Sequence, residues 1–161
     1  MIHATAIVSS KAKIAENVEI GPFSIVEDDV EIGDGTVLMS HVVVANGARI
    51  GQNVRIHPGA VISTAPQDLK YRNEPTLAII GDRTVIRECV TVNRGTVSSG
   101  KAVVGSDCLL MAYSHVAHDC VVGNNVIMAN TVQLGGHVEV GDYAIIGGVT
   151  GVHQFCRIGA H

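Results

Sequence analysis

The chain has 161 residues, enough for one domain, and is 47% hydrophobic, yet it has no Trp, two Phe and three Tyr. Small and β-branched aliphatics must therefore fill its core. A formal charge of −4 argues against a nucleic-acid-binding surface. No apolar run approaches the roughly 20 residues needed to span a membrane, and MIHATAIVSSKAK lacks the apolar stretch of a secretory leader.

From Ile2 onward, every sixth residue is aliphatic: Val8, Ile14, Ile20, Val26, Ile32, Leu38, Val44, Ile50, Ile56 and Ile62. The phase resumes at Ile80, Ile86 and Val92, and again from Val104 through Ile158. Of 27 such slots, 24 hold Ile, Val, Leu or Met, and the exceptions are Asp68, Glu74 and Ser98. Neither the 3.6-residue helical period nor the two-residue strand period selects every sixth position. A small or β-branched residue follows four places later, as at Ala12, Val18, Ser24, Ala60, Thr84, Val126 and Ala144. Glycine follows many of the aliphatics directly, as at Gly21, Gly81 and Gly135, where a corner has no room for a Cβ.

Two inward positions per six residues predict a short strand and a turn. Three such units close an 18-residue triangular coil, and stacked coils form an all-β parallel β-helix over residues 1–161. Cys108, Cys120 and Cys156 fall in the small inward slot and are expected to be buried thiols, whereas Cys89 lies outside it. No CxxC is present, so a zinc knuckle or redox pair is not expected, and a reducing, cytoplasmic setting is the default. Polar, proline-containing residues 63–79 and the NRGTVSSGKA stretch near 93–103 break the pattern as loop excursions. The first is expected to replace or bulge from one full coil. Long loops on a rigid scaffold are where binding residues concentrate. The chain reaches His161 part-way through a hexapeptide with no visible cap, which reads as a truncated or interface-capped solenoid.

His118, His137 and His153 recur at one and two coils, each displaced by one residue, and predict a groove of imidazoles along one edge, shared by Gly136 and Gln154. His115 lies on the same coil as His118, and Asp119 follows directly. A base for acyl transfer needs one imidazole and an orienting carboxylate. The rival reading is a zinc site, because neutral imidazole is a common metal ligand and some hexapeptide solenoids are zinc carbonic anhydrases. A catalytically silent scaffold is a third reading. His3, His41, His57 and His161 read as structural or surface residues, and Arg83, Arg87 and Arg94 as surface charge or contacts between subunits.

The segments QDLKY (67–71), IGDRTVIRECVTVNRGT (80–96), HVAHDCVVGNN (115–125), GGHVEVGDYAIIGG (135–148) and VHQFCRIGAH (152–161) resemble the UDP-N-acetylglucosamine O-acyltransferases of lipid A synthesis. The resemblance implies a left-handed β-helix, which periodicity alone does not give. It also implies transfer of a 3-hydroxyacyl chain from acyl carrier protein to the sugar 3-hydroxyl, with no metal and no cofactor beyond the acyl donor. His118 would be the base, Asp119 its orienting partner and the Gly136 N–H the oxyanion donor. Gln67, Asp68 and Lys70 would hold the sugar nucleotide, with Lys70 on its phosphates. His115, His137, His153 and Gln154 would line the substrate groove. The family is a homotrimer with sites between subunits, and its members continue with further coils and a C-terminal helical domain.

Overall fold

The computed structural model describes residues 1–161. Its 23 short strands form three parallel sheets of eight, eight and seven strands, and each strand pairs with the third strand before and after it. The architecture is a left-handed parallel β-helix. The register is the one the period demands, with Ile25 over Val43 and Leu110 beside Met128. The sixth-residue aliphatics point inward, and Leu38, Ile56, Ile86, Leu110 and Met128 are at most 1% exposed. Ser24, Thr36, Thr84 and Ser114 occupy the small inward slot, also fully buried. Three of them donate their hydroxyl to a corner carbonyl of the next coil: Ser24 to Met39, Thr36 to Gly51 and Thr84 to Gly105. At those three positions a polar residue is tolerated because the turn supplies an acceptor, whereas the buried Ser114 hydroxyl has no partner.

Glycine after the aliphatic has the expected cause. A Cβ on Gly21, Gly33 or Gly81 would sit 2.5–2.7 Å from the backbone of the adjacent coil. The left-handed backbone conformation falls two residues later, and non-glycine residues take it at most corners, including Asp119 (φ 59°), His137 (φ 62°) and Phe155 (φ 63°). Corner geometry thus fixes the backbone that carries Asp119, His137 and Phe155.

Partners one coil apart are 18 residues apart, as for Val42 and Ser24. Across the first excursion the separation is 30, as for Gln52 and Asp82, and across the second it is 24, as for Arg83 and Asp107. The excesses of 12 and 6 residues are multiples of six, which is why the aliphatic phase survives. The first excursion therefore does not replace a coil: the Val61–Thr64 and Thr91–Asn93 strands pair directly, and the extra residues bulge outward between Thr64 and Leu77.

Two burial expectations need correction. Cys156, in the last of the described coils, is exposed, unlike Cys108 and Cys120, which have a described coil on each side. Ile2 is 51% exposed and makes only a single bridge, to Ile20.

Arg94 is structural. Its Nε donates to the Tyr71 hydroxyl at 2.8 Å, its Nη1 to the carbonyls of Asn46 and Ser63, and its guanidinium lies 5.6 Å from the Tyr71 ring centre. One planar cation thereby ties the first excursion to the helix wall. Arg83 forms a two-pronged pair with Asp107, and Arg87 a pair with Glu88, both at the surface.

Candidate active site

The site is built on one corner of three successive coils. Residues 117–120, 135–138 and 153–156 each connect a strand of one sheet to a strand of the next. Corner residues stack through backbone bonds from the His137 N–H to the His118 carbonyl and from the Phe155 N–H to the Gly136 carbonyl, both 3.1 Å. His118, Gly136 and Gln154 therefore form one column, and Asp119, His137 and Phe155 the next.

His118 is nearly buried, and its Nδ1 lies 2.8 Å from Oδ2 of the fully buried Asp119. An ionised carboxylate only accepts, so His118 Nδ1 carries the proton and its Nε2 keeps a free lone pair. That nitrogen faces Gly136, where a Cβ would stand 2.6 Å away. Glycine is required here by the closeness of the imidazole; its φ lies outside the left-handed region. Burial alone would push the Asp119 carboxyl up. Hydrogen bonds from Ser99, Thr96 and His118 outweigh it and hold the group below the ordinary carboxylate range. Burial also lowers the pKa of His115, with a smaller opposing contribution from Thr91, so His115 is biased toward the neutral form.

Two clefts meet at His118. One, of about 650 Å³, is lined by Thr91, Asn93, His115, Gly136 and His153. The other, of about 470 Å³, is lined by Asp68, Leu69, Lys70, His137 and Phe155. Gln67, His118 and Gln154 belong to both. Nine of the ten sequence-predicted residues thus line the clefts, and the tenth, Asp119, lies behind His118.

One expectation is corrected. The three histidines do not form a single groove. The one-residue displacements run in opposite directions, so His137 and His153 stand on opposite sides of the His118–Gly136–Gln154 column and face different clefts. What stacks on His137 is Phe155, ring centres 4.6 Å apart and nearly parallel, while His118 meets His137 edge-on at 5.2 Å.

His118, Asp119 and His137 bring ligand-type atoms within 4.8 Å of one another, the nearest approach to a metal cluster in the chain. The chemistry of that group is a hydrogen-bonded dyad. The two Asp119 oxygens already receive the Thr96 N–H and hydroxyl, the Ser99 N–H and hydroxyl, and the His118 ring N–H, which leaves no lone pair directed at an ion. The zinc reading is not favoured. Sequence reasoning missed Thr96 and Ser99, and also Thr91, whose hydroxyl lies 2.7 Å from His115 Nδ1. A 24-residue step places Thr91 directly beside His115, but that step is visible only once the length of the second excursion is known.

Residues 11–46, 29–64 and 101–136 match the bacterial transferase hexapeptide (six repeats) family. With three parallel sheets of stacked six-residue units and an imidazole–carboxylate pair at a corner, the chain belongs to that family. Among its relatives, it is 50% identical, over its whole length and 62% of the other's, to the acyl-[acyl-carrier-protein]–UDP-N-acetylglucosamine O-acyltransferase of Herminiimonas arsenicoxydans. It superposes on the UDP-N-acetylglucosamine acyltransferase of Bacteroides fragilis with a TM-score of 0.98 at 46% identity, covering 99% of this chain and 63% of that one. For the Francisella novicida enzyme the values are 0.95 and 43%, covering 98% and 58%. The chain thus spans less than two thirds of the length of these relatives.

Proposed function

We propose that the protein transfers a 3-hydroxyacyl chain from acyl carrier protein to the 3-hydroxyl of UDP-N-acetylglucosamine, the first step of lipid A biosynthesis, in the bacterial cytoplasm. The observation that carries this reading is an imidazole poised between two clefts, its Nδ1–H committed to a buried carboxylate and its Nε2 open.

In the proposed reaction the sugar hydroxyl attacks the thioester carbonyl while His118 Nε2 takes the hydroxyl proton. An alcohol is a poor nucleophile near neutral pH, and a positioned base contributes roughly 10²–10⁴-fold. Asp119 stabilises the imidazolium as it forms. The oxygen of the tetrahedral adduct carries the negative charge, and the Gly136 N–H, which has no acceptor within the chain, is the donor for it. Collapse breaks the C–S bond, and His118 returns its proton to the departing carrier-protein thiolate. No step passes through a cofactor.

Lys70 supplies the cation for the nucleotide phosphates and is the only Lys or Arg lining either cleft. Gln67 and Asp68 position the sugar nucleotide from the same loop. The Asp68 carboxylate accepts the Lys70 backbone N–H at 2.9 Å and so shapes that loop as well. His115, His137, His153 and Gln154 line the remaining substrate surface. Assembly as a homotrimer, with sites completed between subunits, is supported by a flat outward strip of Val85, Leu109, Ile127 and Ile145 in register, the last 65% exposed. No helix is long and apolar enough to cross a membrane.

The test is mass-spectrometric analysis of the protein incubated with 3-hydroxyacyl carrier protein and UDP-N-acetylglucosamine. A product heavier by one hydroxyacyl group and esterified at the 3-position is expected. Unchanged nucleotide sugar would overturn the reading.

A further inference from the structure

The second excursion carries no residue that lines the acyl-transfer clefts beyond Asn93, yet it is tightly built. The Gly95 N–H donates to the Leu77 carbonyl at 3.0 Å, the Leu77 N–H to the Gly100 carbonyl at 2.9 Å, and the Gly100 N–H to the Thr96 carbonyl at 2.7 Å. The Thr76 hydroxyl donates to the Gly95 carbonyl. What this loop encloses is the Asp119 carboxylate. Oδ1 accepts the Thr96 N–H at 3.0 Å, the Ser99 N–H at 3.3 Å and the Ser99 hydroxyl. Oδ2 accepts the Thr96 hydroxyl at 2.6 Å beside the His118 ring N–H. The Thr96 hydroxyl oxygen in turn receives the Ser98 N–H at 3.2 Å, which leaves its own proton for Asp119. The Ser99 hydroxyl is shared with the Lys101 carbonyl at 2.8 Å.

We infer that Thr96 and Ser99 are positioning residues of the acyl-transfer site, which hold Asp119 as an oriented anion and through it fix the tautomer and direction of the His118 imidazole. This rests on the reading of His118 as the base. A carboxylate with no exposed surface would otherwise tend to take up a proton and rotate. In that state it no longer serves as a pure acceptor for the His118 ring N–H, and Nε2 would lose its fixed direction. Four donors from a single short loop, two of them side-chain hydroxyls, remove both freedoms. Three titratable groups face or adjoin Asp119. His118 is in contact, the His137 Nε2 lies 3.7 Å away, and the adjacent Cys120 thiol is pushed up by burial to about 11 and stays neutral.

The test is the acid titration of the Asp119 carboxyl carbon by NMR in the folded protein, which needs no turnover. Its result is therefore separable from the success of the acyl-transfer reading. Wild-type protein should keep Asp119 ionised below the ordinary carboxylate range. The double variant Thr96→Val, Ser99→Ala retains both backbone donors but loses both hydroxyls, so burial is opposed less. Its midpoint should rise by about one pH unit or more. Thr96→Ser, which restores a hydroxyl, should leave the midpoint at the wild-type value. His118 and His137 are unchanged in all forms, so the difference isolates the hydroxyls. If the double variant does not fold, the single variants Thr96→Val and Ser99→Ala should each show part of the rise. A midpoint that stays at the wild-type value when the hydroxyls are removed would overturn the inference.

Discussion

Gly136→Ala adds one methyl group at the point where the site has least room. The new Cβ would stand 2.5 Å from His118 Cε1, 2.6 Å from Nε2 and 3.1 Å from Nδ1. Carbon atoms in contact prefer about 3.5–4.0 Å, so the ring must retreat by about 1 Å. It has nowhere to go without lengthening the 2.8 Å bond to Asp119 or pressing on the edge-packed His137 ring. The backbone at Gly136 does not need glycine's conformational range, and the N–H proposed for the oxyanion is retained. Overpacking of this kind costs about 1–3 kcal/mol, and for a chain of this size each kcal/mol lowers Tm by about 2–4 °C. A displacement of about 1 Å in a catalytic group costs on the order of 10²-fold in rate. The variant should therefore stay folded, with a Tm a few degrees lower, while kcat/KM falls by about two orders of magnitude. Steady-state acyl-transfer kinetics and a thermal melt on the same preparation check both. Wild-type kcat/KM in folded Gly136→Ala would refute the assignment of this contact to the reacting centre.

Lys70→Ala should raise KM for the nucleotide sugar by about 10- to 100-fold, as expected for loss of one charged contact worth about 1.5–3 kcal/mol, with kcat changed far less. Titration calorimetry with UDP-N-acetylglucosamine reads the same loss as affinity. Asp119 carries a folded-state pKa below its unfolded value of 3.8, so its contribution to stability is present above that value and is lost as the pH falls below it. Melting curves through the acid range should show this loss in wild type and a smaller one in Asp119→Asn. In Gly95→Ala the new methyl group would strike the Lys101 backbone, which is less able to move than a side chain. Melting temperature and acyl transfer should fall together, because the loop that holds Asp119 must open. Arg94→Ala, at a residue that lines neither cleft, should weaken nucleotide-sugar affinity by loosening the Lys70 loop while leaving Nδ1 of His118 bonded to Asp119, as read by the imidazole NMR signals.

The coil lattice was legible because burial of one aliphatic in six is a strong and regular constraint, and because both excursions lengthen the chain by whole hexapeptides. Site residues that lie on that lattice, such as His118, Gly136 and Gln154, could be placed by counting in eighteens. The sides taken by His137 and His153 could not. A shift of one residue at a corner moves the side chain off the His118–Gly136–Gln154 column, forward to the left-handed position that faces one cleft or back to the position that faces the other. Left-handed corners were also hidden, because Phe23, Val149 and Phe155 take a conformation that residue preference disfavours and that coil stacking imposes. Thr96 and Ser99 were unreadable for a different reason. They leave the lattice altogether, and only the folded path of the excursion brings them to Asp119, more than a coil further along the chain. Cys156 misled because the inward slot guarantees burial only where a coil stacks on each side.

The most direct test of the central claim is kcat/KM for acyl transfer by wild type and by His118→Ala, with a thermal melt of each to show that both are folded. His118→Ala should keep its fold while kcat/KM drops by about 10²–10⁴-fold, the contribution of a positioned base. A folded His118→Ala protein with the wild-type kcat/KM would contradict the claim.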